Sequence, residues 1–286
     1  MKRSAPLPFL IRYAGRRSVL ILLLALLGAA GAARAQSKNA GNEQLAVALS
    51  APGKPGVLHV KLIGGSISVT GYNGKDVLIE AEGGARRPPR GPAPEGLRRV
   101  DTGSNLDLTA EEKDNHVYVK VPPGNRTVNL TIKVPQRFSL RIGTVQDGDI
   151  TVSNVDGELE INNVNGGIAL TQVAGSAVAN TVNGPITASF REVTAGAPMA
   201  FSTVNGKVDL SLPAKTKASL KLKSDFGEVY SDFELVTEQK QAKTARNANG
   251  LYRLNVDEWT HSKLNGGGAE ILLKSLQGDI YIRRAK

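Results

Sequence analysis

Between residues 148 and 206 the apolar positions recur with a period of nine. Glycines stand at 148, 157, 166, 175 and 184, and each opens a unit Gly-x-apolar-x-apolar-x-x-apolar-x. Ile150, Val152 and Val155 fill the first unit, and Leu159, Ile161 and Val164 the second. Ile168, Leu170 and Val173 follow, then Ala177, Ala179 and Val182. After an insertion at 195–198 the pattern resumes at Met199, Phe201 and Val204. It returns at Ile271, Leu273 and Leu276, then Ile280 and Ile282. Side chains two apart share one side of a strand, so the first two apolar positions predict a short half-buried strand. The third, beyond a bend, is expected to turn inward again. The glycines, often preceded by Asn or Asp, predict tight corners where positive φ is cheap.

One such unit cannot bury its apolar edge alone, whereas stacked units can. The pattern therefore predicts an all-β fold, a repetitive β-solenoid or flattened β-helix with about 18 residues per coil. The alternative is an antiparallel β-sandwich of short repeated hairpins, because Asn-Gly is also a hairpin signal. Asn154, Asn163, Gln172, Thr181 and Thr203 share one repeat position, just before the third apolar residue, and in a solenoid they would form a polar ladder.

Shorter β-prone stretches lie at 57–69, 77–80, 116–121, 127–134 and 138–142. A weaker repeat relates Ser139-Leu140-Arg141-Ile142 to Ser219-Leu220-Lys221-Leu222, each shortly after a proline, Pro135 or Pro213. The repeat domain is expected over 57–286, preceded by an exposed segment at 36–56. Loop insertions are expected at 83–96, which is rich in Gly and Pro, and at 237–249, which lacks an apolar stripe.

The start of the chain changes the compartment. Lys2, Arg3, Arg12, Arg16 and Arg17 precede an apolar run at 19–27, which ends in small residues and Ala33-Arg34-Ala35. This is the layout of a cleaved signal peptide, 1–35, with an uncleaved N-terminal anchor as the rival reading. The run is too short for a comfortable membrane span, which needs roughly 20 residues. The chain has 36 basic and 26 acidic residues. Setting aside the six basic ones before residue 36 leaves 30 against 26, a net charge of +4. The basicity is partly a targeting signal and gives no case for nucleic acid. No later run is long and apolar enough to predict a membrane span in the mature chain.

Candidate chemistry is sparse. The chain has no cysteine, which excludes disulfides, cysteine metal sites and thiol catalysis. His59, His116 and His261 lack ligand spacing, and neither a nucleophile elbow nor a phosphate-binding glycine loop occurs. Asp147, Asp149, Asp156, Glu158 and Glu160 crowd one stretch. Calcium needs six to eight converging oxygens, and glycosidase chemistry needs two carboxylates across a cleft. Solvated turn residues explain these acids better. Arg86, Arg87 and Arg90 form a basic knot among prolines. Lys217, Lys221 and Lys223 line a strand-like stretch, with Lys221 and Lys223 expected outward, opposite Leu220 and Leu222.

The units Gly65-Ser66-Ile67-Ser68-Val69, Gly148-Asp149-Ile150-Thr151-Val152 and Val164-Asn165-Gly166-Gly167-Ile168, with Val204-Asn205-Gly206-Lys207-Val208 and Leu276-Gln277-Gly278-Asp279-Ile280, resemble a bacterial β-strand-repeat family catalogued as candidate adhesins of unknown function. The resemblance covers roughly 57–282 and implies an exported repetitive β domain with no established catalytic site. The expectation is a non-catalytic cell-envelope module, structural or adhesive, in the periplasm, at the cell surface or secreted. It has no catalytic, cofactor or metal residues. Its partner is an unknown envelope component, an anionic polymer or a protein. A periplasmic ligand-sensing or regulatory accessory domain is the alternative, and a secreted polysaccharide-active enzyme a distant third.

Overall fold

The structure, a computed structural model, describes residues 43–86, 108–122, 126–238, 242–246, 252–256 and 259–285. The expected signal peptide and its cleavage point after Ala35 lie outside the described residues. All described elements are strands within one compact unit, Ala35–Lys286. They are β1 (Glu43–Ala48), β2 (Gly56–Lys61), β3 (Ile67–Tyr72), β4 (Asp76–Arg86), β5 (Thr109–Lys113), β6 (His116–Lys120) and β7 (Arg126–Pro135). The central part holds β8 (Phe138–Thr144), β9 (Ile150–Ser153), β10 (Asp156–Asn163), β11 (Ile168–Asn180), β12 (Ile186–Val193), β13 (Met199–Asn205) and β14 (Val208–Leu212). The last part holds β15 (Ala218–Ser224), β16 (Val229–Ser231), β17 (Leu235–Thr237), β18 (Ala242–Arg246), β19 (Tyr252–Val256), β20 (Thr260–Leu264), β21 (Ala269–Gln277) and β22 (Ile280–Arg284).

The repeat units pair in parallel, 18 residues apart where they are consecutive: Ile150 with Ile168, and Leu159 with Ala177. They stack into two faces. The first face runs β6, β2, β8, β10, the second half of β11, β13, β21, β15. The second runs β7, β3, β9, the first half of β11, β12, β14, β22, β16. Each coil gives one strand to each face, which is the geometry of a β-solenoid. The antiparallel sandwich does not hold, because parallel neighbours cannot be joined by two-residue hairpins.

The coils do not stack wholly in chain order. The β6/β7 coil lies outside β2/β3, and the final coil, β21/β22, is inserted between β13/β14 and β15/β16. Antiparallel strands cover the ends. β5 lies on β6, β4 on β7 and β1 on β4, while β20 lies on β15 and β17 on β20. Such covers occupy edges that would otherwise invite foreign strands.

Three expected loop regions are corrected here. The segment 36–56 contains β1, whose Leu45 and Val47 pack on the core, and Leu49 is buried. The loop at 83–96 begins later than expected, since β4 runs through Arg86 with an irregularity between Gly83 and Arg86; its remainder lies outside the described residues. The stretch 237–249 is partly strand, as β18 pairs antiparallel with β19. Short-range pairing there needs no apolar stripe, which is why periodicity missed it.

The core is the row of inward side chains between the faces. Ile150, Val152, Leu159, Ile161, Ile168, Leu170, Phe190 and Phe201 are all buried, and Phe190 meets Phe201 edge to face at 6.2 Å. The corner leading from the first face to the second, here the forward corner, is built on stacked glycines. A Cβ on Gly148 would lie 2.0 Å from the Gly65 carbonyl oxygen, and one on Gly166 2.1 Å from that of Gly148. Backbone stacks directly on backbone at that point, so no side chain fits.

Just before this corner six coils carry a small polar side chain, buried in all but the Ser224 coil, that donates to the neighbouring coil's glycine carbonyl, and in the β2/β3 coil buried Leu62 stands there instead. Thr144 Oγ1 reaches Gly65 (3.1 Å), Asn163 Nδ2 Gly148, Thr181 Oγ1 Gly166 and Thr203 Oγ1 Gly184 (each 2.9 Å). Ser275 continues onto Gly206 and Ser224 onto Gly278. The expected polar ladder therefore exists at Asn163, Thr181 and Thr203. Asn154 and Gln172 are not part of it. They occupy the return corner with φ of +56° and +53° and serve its bend. Thr203→Val keeps the shape and removes one buried donor, and is expected to cost about 1–2 kcal/mol in urea unfolding.

Candidate functional site

The third apolar residue of each unit has two fates. At the return corner Val155 and Val173 turn inward and are buried, as the pattern predicts. At the forward corner the phase is reversed, because a buried Thr, Ser or Asn, or Leu62 in the β2/β3 coil, takes the inward position. Ile63, Val145, Val182, Val204 and Leu276 point outward, 36–47% exposed, with half-buried Val164 among them. Coil stacking sets these residues in one line, an apolar ridge along the corner that ends at Asp225, the register partner of Leu276, while Phe226, 76% exposed, stands opposite Gln277. Beside it Asn183 Nδ2 donates to Asn165 Oδ1 (2.8 Å), Asn205 Nδ2 to Asn183 Oδ1 (2.7 Å) and Asn165 Nδ2 to the Val145 carbonyl (3.2 Å).

On the first face the outward row next to the ridge is continuous in register. Lys120 and Lys61 begin it, Gly143, Asn162, Asn180 and Ser202 follow, and Lys274 and Lys223 end it. The row contains no carboxylate. The next row carries Tyr118, His59, Arg141, Glu160, Val178 and, at the far end, Leu272 and Lys221. Lys221 Nζ stands 4.8 Å from the Trp259 ring centre. Lys223 also pairs with Asp225 at 3.4 Å. Like charges set side by side, as Lys274 and Lys223 are, cost stability in a sheet. The outward side of the second face differs, with Ser68, Thr70, Thr151, Ser153 and Thr187 along its rows.

Within the first face a groove of about 990 Å³ lies over Gly143, bounded by Lys61, Lys120, Arg141, Val145 and Val164. A Cβ at Gly143 would meet nothing nearer than 3.5 Å. The fold does not need glycine there, and its missing side chain makes the floor of the groove. At one end Tyr118 stacks on His59 at 4.4 Å, and His59 Nε2 lies 3.2 Å from His116 Nδ1. That bond needs one ring to accept and hence stay neutral.

Burial, followed by the nearby His116, Arg141 and Lys61, lowers the His59 pKa against an opposing Glu160. The unfolded chain then binds the proton first. This contribution to stability is present above the ordinary histidine value and lost as pH falls from about 6.5 through the lower folded value. Urea midpoints measured across that window should fall with acidification, and His59→Gln should flatten the fall.

The other residues singled out by sequence are placed as follows. Lys221 and Lys223 lie on β15, facing away from buried Leu220 and Leu222 as expected, and Lys217 is exposed just before that strand. His261 lies opposite Lys221 on β20. Arg87 and Arg90 are outside the described residues, and Arg86 is described only as backbone in β4. Glu158 and Glu160 are exposed on one side of β10, and Glu160 stands 3.9 Å from Arg141. Asp149 accepts from the Gly167 N–H at 2.7 Å, and Asp156 pairs with Arg191. Among the described residues no group of three or more His, Cys, Asp or Glu is placed to hold a metal, and no helix is long and apolar enough to cross a membrane. Sequence reading missed Lys61 and Lys274. They are far apart in the chain, and only the coil register brings them into one row.

Comparison with known proteins bears on the repeat region. The family described as Toastrack DUF4097 matches residues 142–258, which contain the repeats at Gly148, Val164 and Val204. The resemblance to β-strand-repeat proteins of unknown function falls on the same units. A crystal structure of a candidate cell adhesion protein from Clostridium sporogenes is similar at a TM-score of 0.45 and 12% identity, over 85% of this chain and 98% of that one. No curated protein matches the chain.

Proposed function

We propose, for a chain whose repeats resemble the Toastrack DUF4097 family, a non-catalytic, exported cell-envelope module that adheres to an anionic envelope component. Its finer architecture is a flattened β-helix used as a rigid display surface. The observation that carries this reading is the carboxylate-free row from Lys120 and Lys61 to Lys274 and Lys223, backed by Arg141 and Lys221. Positive side chains held in line on a stiff sheet meet a linear or planar anion without paying for ordering at each contact. The adhesion named for the Clostridium protein accords with this role. Export follows from the presequence.

The test uses protein recovered from the producing cells. Its N-terminus should read from Gln36. It should bind immobilised dextran sulfate but not neutral dextran, and release as salt is raised. Lys61→Glu with Lys274→Glu should weaken binding about tenfold or more, since each lysine near an anionic surface contributes on the order of 1 kcal/mol. Equal retention on neutral dextran, or no effect of the double variant, counts against the reading. A ligand-sensing role is the second reading, favoured by the groove over Gly143. Gly143→Phe would fill that groove, whereas Lys274→Glu, far from it along the row, would weaken polymer binding and leave a small-molecule site intact.

A further inference from the structure

We infer that the forward corner docks on a lipid bilayer with anionic headgroups, the apolar ridge entering the headgroup–acyl boundary. This rests on the reading that the basic first face meets an anionic envelope component, and it commits that component to a lipid surface.

The ridge is not explained by packing. The return corner shows what the fold asks of a corner valine, since Val155 and Val173 are buried there. At the forward corner the inward place is already taken by Thr181, Thr203 and their equivalents, so a polar residue would serve on the outside. The chain places Ile63, Val145, Val182, Val204 and Leu276 there instead, and Phe226, 76% exposed, stands beside the end of the line, opposite Gln277. From the Ile63 coil to the Leu276 coil are five steps of about 4.8 Å, a line of roughly 24 Å.

What flanks the ridge decides its occupant. On the first-face side stands the lysine row, the arrangement by which surface-bound proteins combine inserted apolar side chains with cations at the phosphates. Trp259, against Lys221, adds an amphipathic ring of the kind favoured at headgroup depth. On the other side the amides of Asn165, Asn183 and Asn205 bond to one another along the stack. These bonds occupy Oδ1 of Asn165 and Asn183 and one N–H of each amide, so moving the row toward a less polar medium leaves fewer groups unpaired. Asp147 is exposed in the corner itself, and Asp225, at the end of the ridge line, is paired with Lys223 at 3.4 Å; beyond the amides, Asp149 and Asp279 accept from the N–H groups of Gly167 and Glu228. They sit at the start of the second face, so the bilayer contact leans toward the first face. A second copy of the chain fits less well. A ridge one residue wide falls short of the ~800 Å² per partner of a standard protein interface, whereas a bilayer closes around a narrow ridge.

The test is flotation with vesicles of phosphatidylglycerol and phosphatidylcholine, beside vesicles of phosphatidylcholine alone and immobilised dextran sulfate. The native chain should float with the anionic vesicles. Fluorescence of Trp259, the single tryptophan, should shift to shorter wavelength when it does. Val164→Asn with Val182→Asn and Val204→Asn should lower partitioning about tenfold or more and leave dextran sulfate binding intact. Phe226→Ser, at a site too exposed to affect folding, should act in the same direction. Lys61→Gln with Lys274→Gln should weaken both. Ridge variants that float like the native chain overturn the inference. Polymer binding without vesicle binding also overturns it, and leaves the broader adhesive reading standing. Failure of both would sink both. A dimer in ultracentrifugation that the ridge variant dissolves would reassign the ridge to self-association.

Discussion

Gly166→Val is expected to destabilise the protein by about 2–6 kcal/mol, seen as a large fall in its urea midpoint. Gly166 has φ +151°, and a Cβ there would lie 2.1 Å from the Gly148 carbonyl oxygen. Neither obstacle can be relieved by a rotamer change. A side chain at such φ is strained by about 1–3 kcal/mol, and forcing the coils apart costs about 1–3 more. The displaced oxygen also accepts from Asn163 Nδ2, so the polar ladder suffers with it. Gly143→Ala is the control. Its Cβ finds ordinary contact at 3.5 Å, and its midpoint should barely move. A Gly166→Val protein as stable as the control would show that the coils are not stacked through this corner.

Leu170→Ala should cost about 2–5 kcal/mol and Glu160→Gln almost nothing. Leu170 is 1% exposed, between Val152 and Ala188 of the adjoining coils. Truncation leaves a cavity that close-packed strands on both sides cannot collapse. Glu160 is exposed on the first face, 3.9 Å from Arg141, and a surface pair of this kind contributes little. Paired denaturation curves separate the two. Equal losses would mean that the inward and outward positions have been interchanged.

The strand period, the two-face alternation and most of the core were legible because the nine-residue unit repeats its apolar letters. The phase at the corners was not. Val155 and Val164 hold the same place in the pattern, yet one is buried and the other lies on the ridge. A signal existed in the residue between the apolar position and the glycine. Val164, Val182 and Val204 precede Asn-Gly at the forward corner, whereas Val155 precedes Asp-Gly and Val173 Ala-Gly at the return. The exchange of coils at both ends was also hidden. Alternation in β6 or β21 says which side chains face inward and nothing about which strand lies alongside. That choice depends on the longer connections, which carry no period. The β5–β6 hairpin left a local trace, since Asp114 and Asn115 both adopt positive φ, as a primed two-residue turn requires.

The site was the least legible part. Lys221 and Lys223 were visible as a pair on one strand, but their continuation through Lys274 to Lys61 needs the register of seven stacked strands. The ridge was hidden for a different reason, because an apolar residue in a β-repeat is ordinarily counted as core.

The central claim is that this face, and not the molecule's charge as a whole, meets the anionic partner. Acylation footprinting of lysines tests it most directly, with the native protein free and bound to an anionic surface at low salt. Lys61, Lys221 and Lys274 should lose reactivity on binding, while Lys75, in the β3–β4 turn, and Lys133, on the second face, keep theirs. Uniform protection of all five, or protection centred on Lys133, would contradict the assignment of the site to the first face.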